Sequence, residues 1–527
     1  MTNIRPHLAR SQAKTILLAL LPVGLTLLAF GLRVYHLTYQ SLWRDEVDAL
    51  LFATRPLSEL LATFRRPGEN GPLFFLMLRP WIAAAGQSEF ALRFPSALAG
   101  ALAVPLAYVL TRRLAGRGPA LATAALMALA PYLVWYGQEA KMYALLTALV
   151  PLALWLTIEA AERGGWRRWI TLYVVTSVCF YTHVLAALVV PLQAIWFLVL
   201  RGGWGGSETH QAPGASEAPG AWWAILRAIR PWLAPVIYLF ALVLPYLPLV
   251  WWQAVLWLSP TFETGHPFVP LPEMATVLVV AFSRGILPVQ EPLTLLPFVL
   301  ALLAGALLWP GGDRRQESGG RRQESGDGRD RWRPLVLLLT WLLFPVLAIY
   351  GVSLGMPIFA DRYLIWIMPA FLALIGMGIV VLARGWRPLA LAALAAIMAL
   401  NLADVAAHAN QPIKADFRGA AAFVLPQLQK DDLVIFQIPY SRFTFRYYSG
   451  RSVNRVDGPY TNDGMSETEL ANQMVTAVGQ ASVAWLVASE AELWDARGLT
   501  EKWLAAHGAI TDRAEFMRVT VTRYDLR

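Results

Sequence analysis

The chain has 527 residues, of which 57% are hydrophobic and only 15% charged, against roughly 25% charged in soluble domains. That balance excludes an ordinary soluble enzyme, and the 22 Trp, 23 Phe and 17 Tyr are the aromatics expected where many helix ends meet a lipid–water interface. The formal charge of +9 would suggest nucleic acid in a soluble chain, but here Lys and Arg sit in short segments between apolar runs and so report orientation. The one cysteine, Cys179, lies inside an apolar run, which leaves no disulfide framework and no cysteine metal site. A polytopic α-helical membrane protein is predicted.

A crossing helix needs about 20 apolar residues. Eleven stretches come near that length, at about 15–34, 94–111, 119–135, 142–160, 168–183, 184–200, 232–252, 291–310, 334–353, 364–382 and 388–405. Arg5, Arg10 and Lys14 precede the first, and no A-x-A-like cleavage site follows it, so it reads as an uncleaved anchor with a cytoplasmic N-terminus. Residues 71–86 are apolar but short and broken by Arg79-Pro80. If they crossed, Arg112, Arg113, Arg117 and the later basic loops would lie outside, against the positive-inside bias. They are therefore expected in the outer interface, with further surface helices at about 48–64 and 273–288. Segments 201–220 and 314–326, the latter repeating RRQESG, read as flexible cytoplasmic linkers. After about residue 405, alternating runs such as DLVIFQI and VAWLVAS predict strands between helices. The expected division is a membrane domain over 1–405, with its first outer loop at about 35–93, and a small extracytoplasmic α/β domain over 406–527.

Charged groups in so apolar a chain mark function by default, and the predicted topology gathers them on one side. The first outer loop carries Trp43-Arg44-Asp45-Glu46 and then Glu69-Asn70-Gly71-Pro72. The second outer turn carries Gln138, Glu139, Lys141 and Tyr143; if helical, Glu139 and Tyr143 share a face. Tyr181-Thr182-His183 ends one span, and Asp361-Arg362-Tyr363 opens another. These loops can converge on one outward-facing cavity. Plainer roles stand beside each: Asp45 and Glu46 as acidic residues at a helix N-terminus, Arg362 and Tyr363 as interfacial anchors, His183 as a hydrogen-bonded structural group, Glu69 as part of a turn.

Sugar transfer from a lipid phosphate suits this set. An acceptor hydroxyl becomes a good nucleophile once a carboxylate takes its proton, and a phosphate leaving group needs cationic partners but no strong acid. Asp45 fits the base, and Arg362 or Lys141 the phosphate partners. An outward-facing site without a cytosolic nucleotide-binding domain favours a lipid-carried donor.

Four segments, SLWRDEVDALLFA, ENGPLFFLMLRPW followed by G-x-S-E-F-A-L-R-F-P-S, APYLVWYGQEAKMY and DRYLIWIMPA, together resemble the bacterial family 39-like membrane glycosyltransferases of the GT-C superfamily. That group includes protein O-mannosyltransferases and the aminoarabinose transferases that modify lipid A. The resemblance spans about residues 15–383 and implies a GT-C fold, a polyprenyl-phosphate-sugar donor, a glycan, lipid or protein acceptor, and inverting transfer. It implies Asp45 as the catalytic aspartate with Glu46 completing an acidic pair, and Gln138 and Glu139 as a second polar active-site group. Glu69 matches the residue before the proline turn. Asn70 stands where aminoarabinose transferases have Lys, and Lys141 where relatives often have Arg, which keeps the charge but loses the bidentate fork. Some GT-C enzymes use a divalent metal; Glu69, Glu139 and His183 are the candidate ligands, though their spacing carries no metal-binding signature. The α/β domain, with Asp416-Phe417-Arg418-Gly419 and Tyr447-Tyr448, reads as an acceptor-recognition element, a shield or a packed lid, and the loop at about 253–272 with Glu263 and His266 as a cover.

Two other classes share the composition. A transporter or flippase of lipid-linked sugars would place polar groups near the midplane on broken helices, often with internal repeats, and neither is evident. A non-catalytic envelope scaffold would tolerate Asp45→Asn.

Overall fold

The computed structural model describes residues 5–63, 71–201, 232–258, 264–309 and 332–526. The linker expected at 201–220, Arg201 aside, that at 314–326, and residues Glu69, Asn70 and Glu263 lie outside them. The chain packs as two compact units, one of Met1–Tyr35, Arg55–Met77 and Arg93–Ala407, the other of His36–Thr54, Leu78–Leu92 and His408–Arg527.

The early helices are α1 (Arg5–Val34), α2 (Arg44–Thr54), α3 (Leu57–Thr63), α4 (Leu73–Ala85), α5 (Glu89–Ala115), α6 (Arg117–Leu129), α7 (Pro131–Gly137), α8 (Tyr143–Arg163), α9 (Trp166–Thr182) and α10 (Val189–Arg201). Among the described residues six helices are long and apolar enough to cross a membrane: Glu89–Ala115, Tyr143–Arg163, Val184–Arg201, Arg333–Ser353, Asp361–Gly385 and Arg387–Asn410. α6 and α7 taken together make a seventh, bent by 55°. The shorter helices Ala19–Val34, Trp232–Pro248 and Pro292–Leu307, with α9, occupy the other expected stretches. The protein is a multi-spanning membrane protein. The surface helix expected at 48–64 is two helices, α2 and α3, parted before Pro56, because the residue ahead of a proline leaves the helical region. α4, at 13 residues, covers the short apolar run at 71–86, and Leu271–Arg284 the run at 273–288.

The helix Met368–Gly385 is the centre of the first unit, with its first twelve residues all buried. Small residues set its distance to its neighbours, as close packing of apolar helices requires. A Cβ on Gly378 would lie 1.8 Å from the Ala301 carbonyl oxygen, and one on Gly305 1.9 Å from that of Leu374. Elsewhere a buried polar knot joins helices: Gln193 Nε2 donates to Thr157 Oγ1 at 3.2 Å and Thr176 Oγ1 at 3.0 Å, and its carbonyl accepts from the Tyr238 hydroxyl at 2.7 Å. With donors and acceptors paired, burying these groups in apolar surroundings is tolerable.

In the second unit a five-stranded sheet runs β2-β1-β3-β5-β4, from β1 (Leu433–Gln437), β2 (Arg455–Asp457), β3 (Val483–Ala488), β4 (Ala509–Phe516) and β5 (Val519–Asp525). β2, β1 and β3 are parallel, with Ile435 opposite Leu486; β5 and β4 are antiparallel. Side chains alternate between two apolar layers. Val434, Phe436, Trp485 and Val521 pack with Phe417, Val424 and Phe445 on one face; Ile435, Leu486 and Tyr524 pack with Leu470, Met474 and Leu504 on the other. The strands expected from alternation are instead continuous apolar runs at 433–436 and 483–488, buried on both faces as the parallel strands of a covered sheet are.

Candidate active site

In the first unit the polar residues gather where the chain breaks helices. α6 ends at Leu129 because Pro131 lacks the N–H that the Met127 carbonyl would accept from. The guanidinium of Arg33, a fully buried residue of α1, takes that place: its NH2 nitrogen donates to the Met127 carbonyl at 3.2 Å and its NH1 nitrogen to that of Ala128 at 3.3 Å. Gly100 and Gly137 make room for it, since a Cβ on either would come within 3.0 Å of the Arg33 side chain. In return Gln138, just after α7, donates its amide to the Tyr35 and Arg33 carbonyls at 2.8 and 3.2 Å, closing the C-terminus of α1. Each broken end is capped by the other segment.

Residues 138–142 form the turn expected there, and they are not helical. Gln138 N–H closes α7 on the Val134 and Trp135 carbonyls, and Lys141 N–H bonds the Glu139 carbonyl at 2.7 Å, a two-residue closure no helix contains. Glu139 and Tyr143 therefore do not pair by helical spacing. Instead the turn buries Glu139, Lys141 and Tyr143, and Ser96 fixes it by donating to the Lys141 carbonyl at 3.0 Å.

Around this turn runs an arc of rings. Tyr132 and Tyr136 lie 4.8 Å apart, Tyr136 and Tyr143 5.2 Å, Tyr143 and His183 6.1 Å, His183 and Tyr363 5.4 Å, and Tyr363 and His266 5.7 Å. Arg362 stands beside it, and its charge acts with that of Lys141 on His183; Asp361 acts on Tyr132 and Tyr136. The structure thus brings Lys141, Glu139, Tyr143, His183, Arg362 and Tyr363 into one neighbourhood. Gln138 serves α1. Gly71 lies backbone to backbone on Tyr181, where a Cβ would be 2.3 Å from its carbonyl oxygen, so the chain at Gly71 meets the end of α9. From the expected covering loop, His266 meets the Tyr363 hydroxyl at 3.4 Å. Burial and the Arg362 charge push this imidazole below its ordinary range, so at pH 7 it is neutral.

His183 shows its tautomer. It is 1% exposed, and its Nδ1 accepts the Leu185 N–H at 3.2 Å. An acceptor Nδ1 places the ring proton on Nε2, and that Nε2 has no hydrogen-bond partner among the described residues. A metal-bound histidine needs the reverse: a bare nitrogen toward the metal and a second N–H donated to an acceptor behind it. His183 consequently does not fit the metal-ligand role, and among the described residues no three His, Cys, Asp or Glu side chains group to hold an ion. It fits a donor to a substrate oxygen. His183→Gln is expected to lower turnover about tenfold, the scale of one lost hydrogen bond to a charged group, while leaving the metal content of the purified protein, read by mass spectrometry, as in wild type. A lower metal content would restore the ligand role.

In the second unit α2 begins at Arg44, so Asp45 and Glu46 occupy its first turn, four residues before the start near Asp48 expected from sequence. The two carboxylates differ. Glu46 is fully buried; its Oε2 receives the Lys414 ammonium at 2.9 Å and, more weakly, the Trp43 N–H at 3.4 Å. Asp45 is half-buried and has no hydrogen bond or ion pair to another described residue. Lys414 was not singled out by sequence, where it is one lysine after the last apolar run. Nearby, Ser41 Oγ donates to Asp416 at 2.7 Å and the Tyr448 hydroxyl accepts Leu42 N–H at 2.5 Å while donating to Glu89; burial and Glu89 hold this phenol well above its usual range, so it stays protonated.

Solved membrane proteins share this fold of a multi-spanning helical unit with broken helices and a small sheet. Structures of ArnT from Cupriavidus metallidurans share it: the apo form is similar with a TM-score of 0.57 at 12% identity, over 98% of this chain and 98% of that one. The form bound to undecaprenyl phosphate gives 0.54 at 12% identity, over 97% and 98%. Residues 67–213 match the family model described as dolichyl-phosphate-mannose-protein mannosyltransferase, a segment running from the first loop past α10. No curated protein sequence matches.

Proposed function

We propose that the protein is an inverting membrane glycosyltransferase that moves a sugar from a polyprenyl-phosphate donor to a hydroxyl of a glycan, lipid or protein. The observation that carries this reading is the grouping, on a GT-C fold, of Arg362 and Lys141 about the ring arc of Tyr143, His183 and Tyr363. Cations and neutral donors without a strong acid suit a phosphate leaving group. That ArnT of the same fold is known bound to undecaprenyl phosphate supports a lipid phosphate as the carrier here. In the reaction the acceptor oxygen bonds to the anomeric carbon from the face opposite the phosphate, its proton passes to a carboxylate base, the role that the first-loop motif implies for Asp45, and the C–O bond to phosphate breaks, releasing polyprenyl phosphate. Arg362, Lys141 and the His183 Nε2–H hold the phosphate oxygens as their charge grows. The basic segments between spans support a cytoplasmic N-terminus, with chemistry and the α/β domain of 406–527 on the outer face of the plasma membrane.

The test is release of free polyprenyl phosphate from polyprenyl-phosphate sugars by purified protein with candidate acceptors. Folded protein that binds donor yet releases none from any sugar tried would overturn the reading in favour of transport. Within the same assay Arg362→Gln is expected to raise the donor KM about 10- to 100-fold, the loss of roughly 1.5–3 kcal/mol for a charged hydrogen bond. An unchanged KM would return Arg362 to the role of interfacial anchor.

A further inference from the structure

The first turn of helix α2 is held by the segment that leads into the α/β domain, while its last turn is held by Arg79, which donates to the Ala53 carbonyl at 3.3 Å. Residues 36–42 lie along residues 408–418: His36 Nδ1 bonds the Ala409 carbonyl at 3.0 Å, and the Tyr39 hydroxyl donates to the Asn410 carbonyl at 2.9 Å. Gln40 donates to the Gln411 carbonyl at 2.7 Å and accepts the N–H groups of Ile413 and Lys414 at 3.0 and 3.2 Å. Arg418 returns to the Thr38 carbonyl at 2.8 Å. The pairing continues into the first turn of α2. Lys414 Nζ lies 5.5 Å from the centre of the Trp43 ring, the Arg44 guanidinium sits 3.9 Å over Tyr440, and Lys414 pairs with Glu46 at side-chain exposures of 4% and 0%. In the run 43–46, every side chain but one is committed to the α/β segment. The exception is Asp45.

We propose that the α/β domain positions Asp45, and that Lys414, through its buried pair with Glu46, is the positioning residue. The claim rests on Asp45 being the base of the proposed transfer. A dry ion pair is geometrically demanding and leaves an uncompensated charge if one partner is lost, so removing Lys414 forces Glu46, and the helix turn it shares with Asp45, to move toward water. Misplacing a catalytic group by about 1 Å can cost on the order of 100-fold in rate. A group that merely packs would lower the amount of folded protein without separating kcat from KM.

The experiment uses the full chain. Lys414→Met is expected to lower kcat at least about tenfold with the donor KM unchanged, and to speed amide exchange across residues 44–54. Wild-type kcat with wild-type exchange there would overturn the proposal. If Lys414→Met does not accumulate, the Glu46→Gln/Lys414→Gln variant, which leaves no lone charge, is measured instead. Slower turnover at unchanged KM with faster exchange supports the proposal, and wild-type values overturn it. Should the wild type itself release no polyprenyl phosphate from any donor, the transferase reading fails, while the exchange of residues 44–54 still decides whether Lys414 positions the helix.

Discussion

Asp45→Asn is expected to lower kcat for sugar transfer about 10³-fold, within the range of about 10² to 10⁴ that a positioned general base contributes, with folded yield and donor KM unchanged. Asparagine has the shape of aspartate and cannot take the acceptor proton, so the substitution isolates the base. It is structurally mild because Asp45 is half-buried and makes no hydrogen bond or ion pair with described residues; Asn is also well accepted near a helix start. The neighbouring Glu46→Gln should differ by its effect on stability. It leaves the Lys414 ammonium, whose side chain is 4% exposed, facing a neutral amide, and should reduce stability as well as rate. If Asp45→Asn keeps wild-type turnover in membranes holding normal amounts of protein, Asp45 is not the base, and α2 serves structure alone.

The contrast between those two carboxylates shows where the sequence is readable. Asp45-Glu46 reads as one acidic pair because adjacent letters share a motif; the structure divides it, since Glu46 answers to a lysine 368 positions away that no local pattern connects to it. The spans are legible for the opposite reason. Burial in an apolar phase needs only a run of apolar residues, a property of consecutive letters, and the strands of β1 and β3 are likewise written in continuous apolar runs. The break at residue 130 has a local sign in Pro131. What that break needs to survive, a donor for the Met127 carbonyl, comes from Arg33 in a different helix. The segment 138–142 reads as a turn whose local spacing leaves its conformation open, and that conformation is set by contacts to Tyr35 and Ser96. His183 lay between a ligand and a structural role until the Leu185 N–H fixed its tautomer.

Arg33→Ala is expected to destabilise the protein by about 3 kcal/mol, seen as an earlier loss of the folded, monodisperse form on heating in detergent. Three effects enter, and their sizes decide the sign. Emptying the space between Gly100 and Gly137 costs on the order of 3–5 kcal/mol, as for other large buried side chains. Leaving the Met127 and Ala128 carbonyls without donors costs about 1–3 kcal/mol each. Against these, removing a guanidinium from a fully buried position returns several kcal/mol of desolvation. Arg33→Met fills most of the volume and also removes the charge, so it should be the milder change, with the orphaned carbonyls as its main cost. The decisive comparison adds Pro131→Ala to Arg33→Met. An N–H at position 131 can reach the Met127 carbonyl within the helix itself, so the pair should be more stable than Arg33→Met alone by about 1–2 kcal/mol, the value of one buried backbone carbonyl regaining its donor. Pro131→Ala in the wild-type background should bring no such gain, because Arg33 already occupies that carbonyl. Additive effects of the two substitutions would mean that Arg33 does not replace the hydrogen bond proline removes. The turn bearing Glu139 and Lys141 would then owe its place to packing, and α1 would lose its part in setting the site.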